Sequence, residues 1–137
     1  MPHDEALTPE AMDAILSFQA IFEKPGFVFA EPWPSIEEIE KTGRGFPSDR
    51  AIREIPCSFL RALTDHRVPI RIADRKAGWS MAYVREPERL TTADLETLRG
   101  MLPDLFFGSR ITGGLMADLF ESGFWTRWLK RLRVLRG

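Results

Sequence analysis

Residues Gly113–Gly137 read G-G-L-M-A-D-L-F-E-S-G-F-W-T-R-W-L-K-R-L-R-V-L-R-G, the strongest pattern in the chain. At about 100° per residue, Phe124, Trp125, Trp128, Leu129, Leu132 and Leu135 fall within an arc of about 140°. Arg127, Lys130, Arg131 and Arg133 take the opposite face, with Arg136 at its edge, and no acid lies between Phe124 and Gly137. Ser122-Gly123 interrupts the helical period, and Leu115, Met116, Leu119 and Phe120 carry the same period just before it. The stretch predicts two short consecutive helices at an angle, both presenting large side chains to one core.

Everything upstream reads as material for that core. Thr8-Pro9-Glu10 opens a helix, because Thr caps, Pro is tolerated at the first helical position and an acid suits the positive helix end. Met12, Ile15, Leu16, Phe18 and Phe22 give it a broad apolar face, and Pro25-Gly26 ends it. Phe27 to Ala30 is short, aromatic and β-branched, and Pro32-Trp33-Pro34 closes it, which predicts an edge strand. Ser35 caps a helix from Ile36 to Lys41, with Glu38 completing a capping box. Arg50 to Ile55 reads as a second strand, paired antiparallel with the first. Pro56 then starts a helix through Phe59, Leu60 and Leu63 to about His66. Val68, Ile70 and Ile72 alternate with Pro69, Arg71 and Ala73, the period of a third, short strand. Asp74 to Arg85 fits a helix or a hairpin equally well by local pattern. Leu95, Leu98, Met101 and Leu102 form a helix that Pro103 terminates.

The expected fold class is therefore α+β, mainly α: five or six short helices around one core, with a small two- or three-stranded antiparallel sheet. A chain of 137 residues fits a single domain, 1–137. The lone Cys57 cannot form an intramolecular disulfide, and Met1-Pro2-His3-Asp4-Glu5 is acidic where a secretory signal needs positive charge. No apolar run approaches the ~20 residues that span a bilayer. A soluble, cytoplasmic protein with no membrane contact is expected.

Net charge is −1, but the first 40 residues carry nine acids and one base, whereas the last 14 carry five bases and no acid. Opposite ends of a chain can attract each other weakly across the surface, or the basic end can face an anionic partner. Catalytic signatures are missing. The histidines are His3, near the terminus, and His66, at a helix end where it interacts favourably with the helix dipole, and neither stands in a nucleophile-base motif. Asp13, Glu23, Glu31, Glu37, Glu38 and Glu40 lack the His partners or spacing of a metal site. No catalytic residue, metal ligand or cofactor is assigned.

Gly108-Ser109-Arg110-Ile111-Thr112-Gly113-Gly114 has two glycines at phosphate-loop separation, but Gly114 and Leu115 stand where Lys and Ser or Thr should follow. What remains is a bare anion site at Arg110, Thr112 and the amides of Gly113 and Gly114. Arg71, Arg75, Lys76, Trp79 and Tyr83 interleave cations with aromatics, as single-stranded nucleic acid requires. The candidate anion or nucleic-acid contacts are thus Arg75, Lys76, Arg110, Arg127, Lys130, Arg131 and Arg133, and the candidate interface aromatics are Trp33 and Trp79.

Two stretches carry a resemblance. The first is Leu7-Thr8 through Phe18 to Phe22-Glu23-Lys24-Pro25-Gly26-Phe27-Val28-Phe29. The second takes in Tyr83-Val84, Pro87-Glu88, Leu90, Ala93-Asp94-Leu95-Glu96-Thr97-Leu98, Arg110, Phe120-Glu121-Ser122-Gly123 and Leu129-Lys130-Arg131-Leu132. Together they resemble an uncharacterised family of small bacterial domains of unknown function. In that family a Glu-Gly-His-like triplet takes the place of Gly113-Gly114-Leu115, and a His often follows the Ser-Gly where this chain has Phe124; both polar positions are missing here. The resemblance also implies a Trp-rich helix before Tyr83, which favours helix for Asp74 to Arg85.

The functional expectation is a non-catalytic binding or regulatory protein acting through protein contacts, of which a small regulator carried by a phage or other mobile element is one version. Nucleic-acid binding through the basic terminal helix is the alternative, and a small enzyme with a site assembled from distant residues is the third reading. The oligomeric state is open.

Overall fold

The computed structural model of the chain describes residues 6–43, 45, 51–72, 79–111 and 114–137. Thr8 opens α1 (Pro9–Leu16): its Oγ1 accepts the Ala11 N–H at 3.1 Å, satisfying a donor that the first helical turn leaves unpaired. Met12, Ile15 and Leu16 are buried. A single turn, α2 (Gln19–Phe22), carries the chain on to Pro25-Gly26. Ser35 caps α3 (Ile36–Thr42) as Thr8 caps α1, accepting the Glu38 N–H at 3.1 Å, yet α3 buries none of its side chains. After it come α4 (Glu54–Asp65), α5 (Met81–Arg85), a 3-10 turn (Pro87–Thr92), α6 (Leu95–Gly100), α7 (Leu102–Ile111), α8 (Leu115–Glu121) and α9 (Phe124–Arg136).

The terminal helix organises the rest. Gly123 takes a φ of +85°, which lets the chain turn sharply between α8 and α9, and α9 then packs against α1, α2, α6, α8 and the 3-10 turn. Phe120, Trp128, Leu129 and Leu132 are buried, as their periodicity predicts. Phe59 of α4 stands edge-on to Phe22, Trp125 and Trp128 at centroid distances of 5.2, 5.3 and 6.5 Å, so one ring ties α2, α4 and α9 together. Edge-to-face contacts of this kind add about 0.5–1.5 kcal/mol each beyond the area they bury. The Trp128 indole Nε1 donates to the Leu98 carbonyl oxygen at 3.1 Å, which fixes α9 on α6 through a polar contact inside an apolar core.

The expected α+β class is overturned: the described residues contain no β-strand, and the fold is almost entirely helical. In place of the sheet there is one isolated antiparallel bridge, Ala30 with Ile52, held by Glu31 N–H to Ala51 O at 2.9 Å and Arg53 N–H to Phe29 O at 2.8 Å. Two local causes keep it from growing. Pro32 and Pro34 cannot donate to a ladder, and on the other side the chain is already helical from Glu54, two residues before the expected Pro56 start.

The third expected strand, from Val68 to Ile72, fails for a different reason. Val68 and Ile70 are buried alternately, but their backbone partners belong to α6: the Ile70 N–H donates to Arg99 O at 3.4 Å, and the Arg99 guanidinium donates to the carbonyls of Val68 and Arg67. A buried arginine takes the place of a neighbouring strand.

The helices also exceed the expected five or six, because α7 was not anticipated: α6 ends at Gly100, and Leu102 and Pro103, expected at the close of that helix, instead form the first turn of α7. Of Asp74 to Arg85, the part from Met81 is α5, and residues 74–78 lie outside the described residues. Among the described residues no helix is long and apolar enough to cross a membrane.

Candidate functional site

The bridge that stays small leaves a groove beside it. Phe27 and Phe29 pack against the core through Phe22, at centroid distances of 5.6 and 5.4 Å, and the strand-like alternation turns Val28 outward, 46% exposed. On the far wall the chain bends from residues 51–53 into the first turn of α4, where Pro56 is buried and Ile55 is 41% exposed. Between these walls lies an open groove of about 660 Å³. Its charged lining is Glu31, Arg53 and Glu54, and the Arg53 Nε lies 3.5 Å from Glu31 Oε1. Both side chains of that pair are about half exposed, which makes it a weak contact that a partner can displace.

Trp33, the candidate interface aromatic, follows two residues after Glu31 and is 45% exposed. Trp79, the other candidate, is half-buried and stands edge-on to Tyr83 at 5.8 Å. The other aromatic of that cluster is also engaged, since the Arg89 guanidinium lies 5.6 Å from the Tyr83 ring centroid. Arg71 is exposed nearby in sequence, whereas Arg75 and Lys76 lie outside the described residues.

The cations of α9 divide into two groups. Arg127 and Lys130 are exposed. Arg131 donates from Nε to the Ala93 carbonyl at 2.6 Å, at the end of the 3-10 turn, and Arg133 reaches Gln19 Oε1 and, at 3.4 Å, the Leu16 carbonyl at the end of α1. Arg136 pairs with Asp13 at 3.0 Å. Three of the five bases thus bind groups of their own chain, two of them at carbonyls that close helical segments, where positive charge is favourable.

Arg110 is exposed at the end of α7 and lines a smaller cleft of about 330 Å³ with Ser109, Gly114 and Met116; the rest of the glycine-rich anion candidate, Thr112 and Gly113, lies outside the described residues. His66 caps the end of α4 in solvent, and His3 lies outside the described residues. No group of three or more His, Cys, Asp or Glu residues gathers at metal-binding distance among the described residues.

Two polar contacts have no signature in sequence. Arg99 is one, and the other is Ser80, fully buried, whose Oγ donates to Asp104 at 2.9 Å and ties the start of α5 to α7. Ser and Asp 24 residues apart form no local pattern, and only the tertiary fold brings them together.

Residues 7–137 match a family of unknown function, DUF6508. The chain belongs to that family. No curated protein and no solved structure matches it. The position where a histidine was expected from the resemblance, Phe124, is fully buried here, its ring edge-on to Trp125 at 5.3 Å, so in this chain it serves the core.

Proposed function

We propose that this DUF6508 chain is a non-catalytic binding or regulatory module that docks another protein on the groove between residues 26–28 and 54–56. One observation carries the reading: Val28 and Ile55, both apolar and both more than two-fifths exposed, line the same groove on opposite walls. Completing the burial of two such side chains contributes on the order of 1 kcal/mol each. Trp33 adds a large amphipathic ring close by in sequence, the kind of residue that dominates binding energy at protein interfaces. Glu31, Arg53 and Glu54 supply a polar rim that gives orientation.

The nucleic-acid reading of α9 has less to draw on. Arg131, Arg133 and Arg136 donate to groups within the chain, leaving Arg127 and Lys130 as the unengaged pair on that helix. Two phosphate contacts make only a shallow salt dependence.

The test is affinity capture from the native cell, nuclease-treated and untreated, with wild-type protein and a Val28→Asp/Ile55→Asp variant whose fold is checked by circular dichroism. The reading expects a protein partner that survives nuclease and is lost with the variant. A partner removed by nuclease, or one retained equally by both proteins, overturns it.

A further inference from the structure

Helices α3 and α9 each present an exposed stripe to solvent, and the two stripes are complementary in charge and in spacing. On α3, Ile36 is 74% exposed, and Glu37 and Glu40 lie within about 100° of it around the helix. On α9, Arg127, Lys130 and Val134 fall within an arc of about 60°, opposite the buried face, and Val134 is 66% exposed. Among the described residues, Glu37, Glu38, Glu40, Arg127 and Lys130 enter no ion pair. Three unpaired acids on one helix and two unpaired bases on another are therefore present in the same molecule without meeting.

The spacing sets a register. Ile36 and Glu40 are four residues apart, as are Lys130 and Val134, so an antiparallel alignment places Ile36 beside Val134 and Glu40 beside Lys130. Arg127 then falls one turn further along, within reach of Glu40, and Glu37 flanks the apolar pair. The Ile36–Glu40 stripe is about 6 Å long and the Arg127–Val134 stripe about 10 Å, so Arg127 extends past the end of the shorter one by about a turn. The alternative parallel alignment sets Ile36 against a cation and leaves Val134 opposite a charge or solvent.

We propose that α3 of one copy docks antiparallel on the Arg127, Lys130 and Val134 stripe of α9 in a second copy of this chain. The contact uses a surface distinct from the groove, so it stands or falls separately from the docking of an external protein. A small, charge-rich interface of this kind is weak and reversible, and it exchanges between copies at ordinary concentrations.

Sedimentation equilibrium of the full chain at about 0.1 M and about 1 M salt tests it, since exposed charges are strongly screened at the higher value. Wild type should self-associate reversibly at low salt and dissociate at high salt. Glu37→Lys/Glu40→Lys should weaken that association on the order of tenfold or more, and so should Arg127→Glu/Lys130→Glu, because each sets like charges against each other. Mixing the two variants, or combining all four changes in one chain, should restore it, a rescue that an unrelated aggregation surface does not give. All four positions are exposed in the fold, and circular dichroism checks that each variant stays helical; a charge-reversed pair that does not is replaced by its neutral counterpart, Glu37→Gln/Glu40→Gln or Arg127→Gln/Lys130→Gln, with a smaller expected loss. A wild type that is monomeric at both salts up to the highest soluble concentration, or an association that neither reversal weakens, overturns the proposal.

Discussion

Arg99 Nε donates to the Val68 carbonyl oxygen at 2.9 Å across 31 residues of sequence, and its Nη2 donates to the Arg67 carbonyl at 3.0 Å. These bonds join α6 to the extended stretch that follows α4, and they satisfy carbonyls that a strand would give to its neighbour. They also hold Arg67 at a φ of +54°, a conformation that a residue with a side chain seldom adopts without such support.

Replacing Arg99 with Met should therefore destabilise the protein by roughly 2–4 kcal/mol, because two charge-assisted bonds are lost and two carbonyls are left without donors. Arg99→Lys should recover only part of that, since an ammonium cannot reproduce the fork that reaches both oxygens. Urea unfolding checks it, and a Lys variant as stable as wild type would show that charge alone suffices.

Trp128→Ala should cost about 3–5 kcal/mol, as it opens a cavity at the centre of the aromatic cluster. Trp128→Phe separates the two contributions: it keeps most of the packing but strands the Leu98 carbonyl, for about 1–3 kcal/mol. A Trp128→Phe variant as stable as wild type in thermal unfolding would mean that the indole N–H contributes nothing.

The bases of α9 should respond unequally to neutralisation. Arg131→Gln removes the bond to Ala93 and should cost about 1–2 kcal/mol, whereas Arg127→Gln and Lys130→Gln should each stay within about 0.5 kcal/mol of wild type. Chemical denaturation of the three single variants measures the difference, and equal effects at all three positions would contradict the division of this helix into anchoring and exposed cations.

Gly123→Ala should cost about 1–2 kcal/mol through backbone strain alone, because a Cβ at this left-handed position meets no neighbour within 4 Å. Gly123→Asn should cost less, since Asn tolerates that region. The ordering of the two midpoints is the readout.

Local signals carried much of the fold into the sequence. The caps at Thr8 and Ser35, the break at Ser122-Gly123 and the buried face of α9 were legible because each depends on residues within one or two turns. The sheet was not, because Val68 and Ile70 alternate in the same way whether a strand or an arginine answers their backbone, and Arg99 lies on another helix. α7 was missed because Gly108 within Phe106-Phe107-Gly108-Ser109 reads as a loop signal, while in the structure Gly108 packs where a Cβ would come within 3.2 Å of Leu115. At the candidate site, Trp33 stood out by residue type. The groove did not, since its walls meet only when residues 26–31 and 51–56 come together, and the capping roles of Arg131 and Arg133 depend on carbonyls 38 and 117 residues away.

Site-specific photo-crosslinking in the native cell tests the docking groove most directly. A photoreactive phenylalanine at position 55 lies in the groove, and the same group at position 107, an exposed residue of α7 that does not line it, serves as the control. The account predicts a discrete protein adduct from position 55, resistant to nuclease and absent from position 107. Adducts of equal yield from both positions, or a nuclease-sensitive adduct alone, would contradict it.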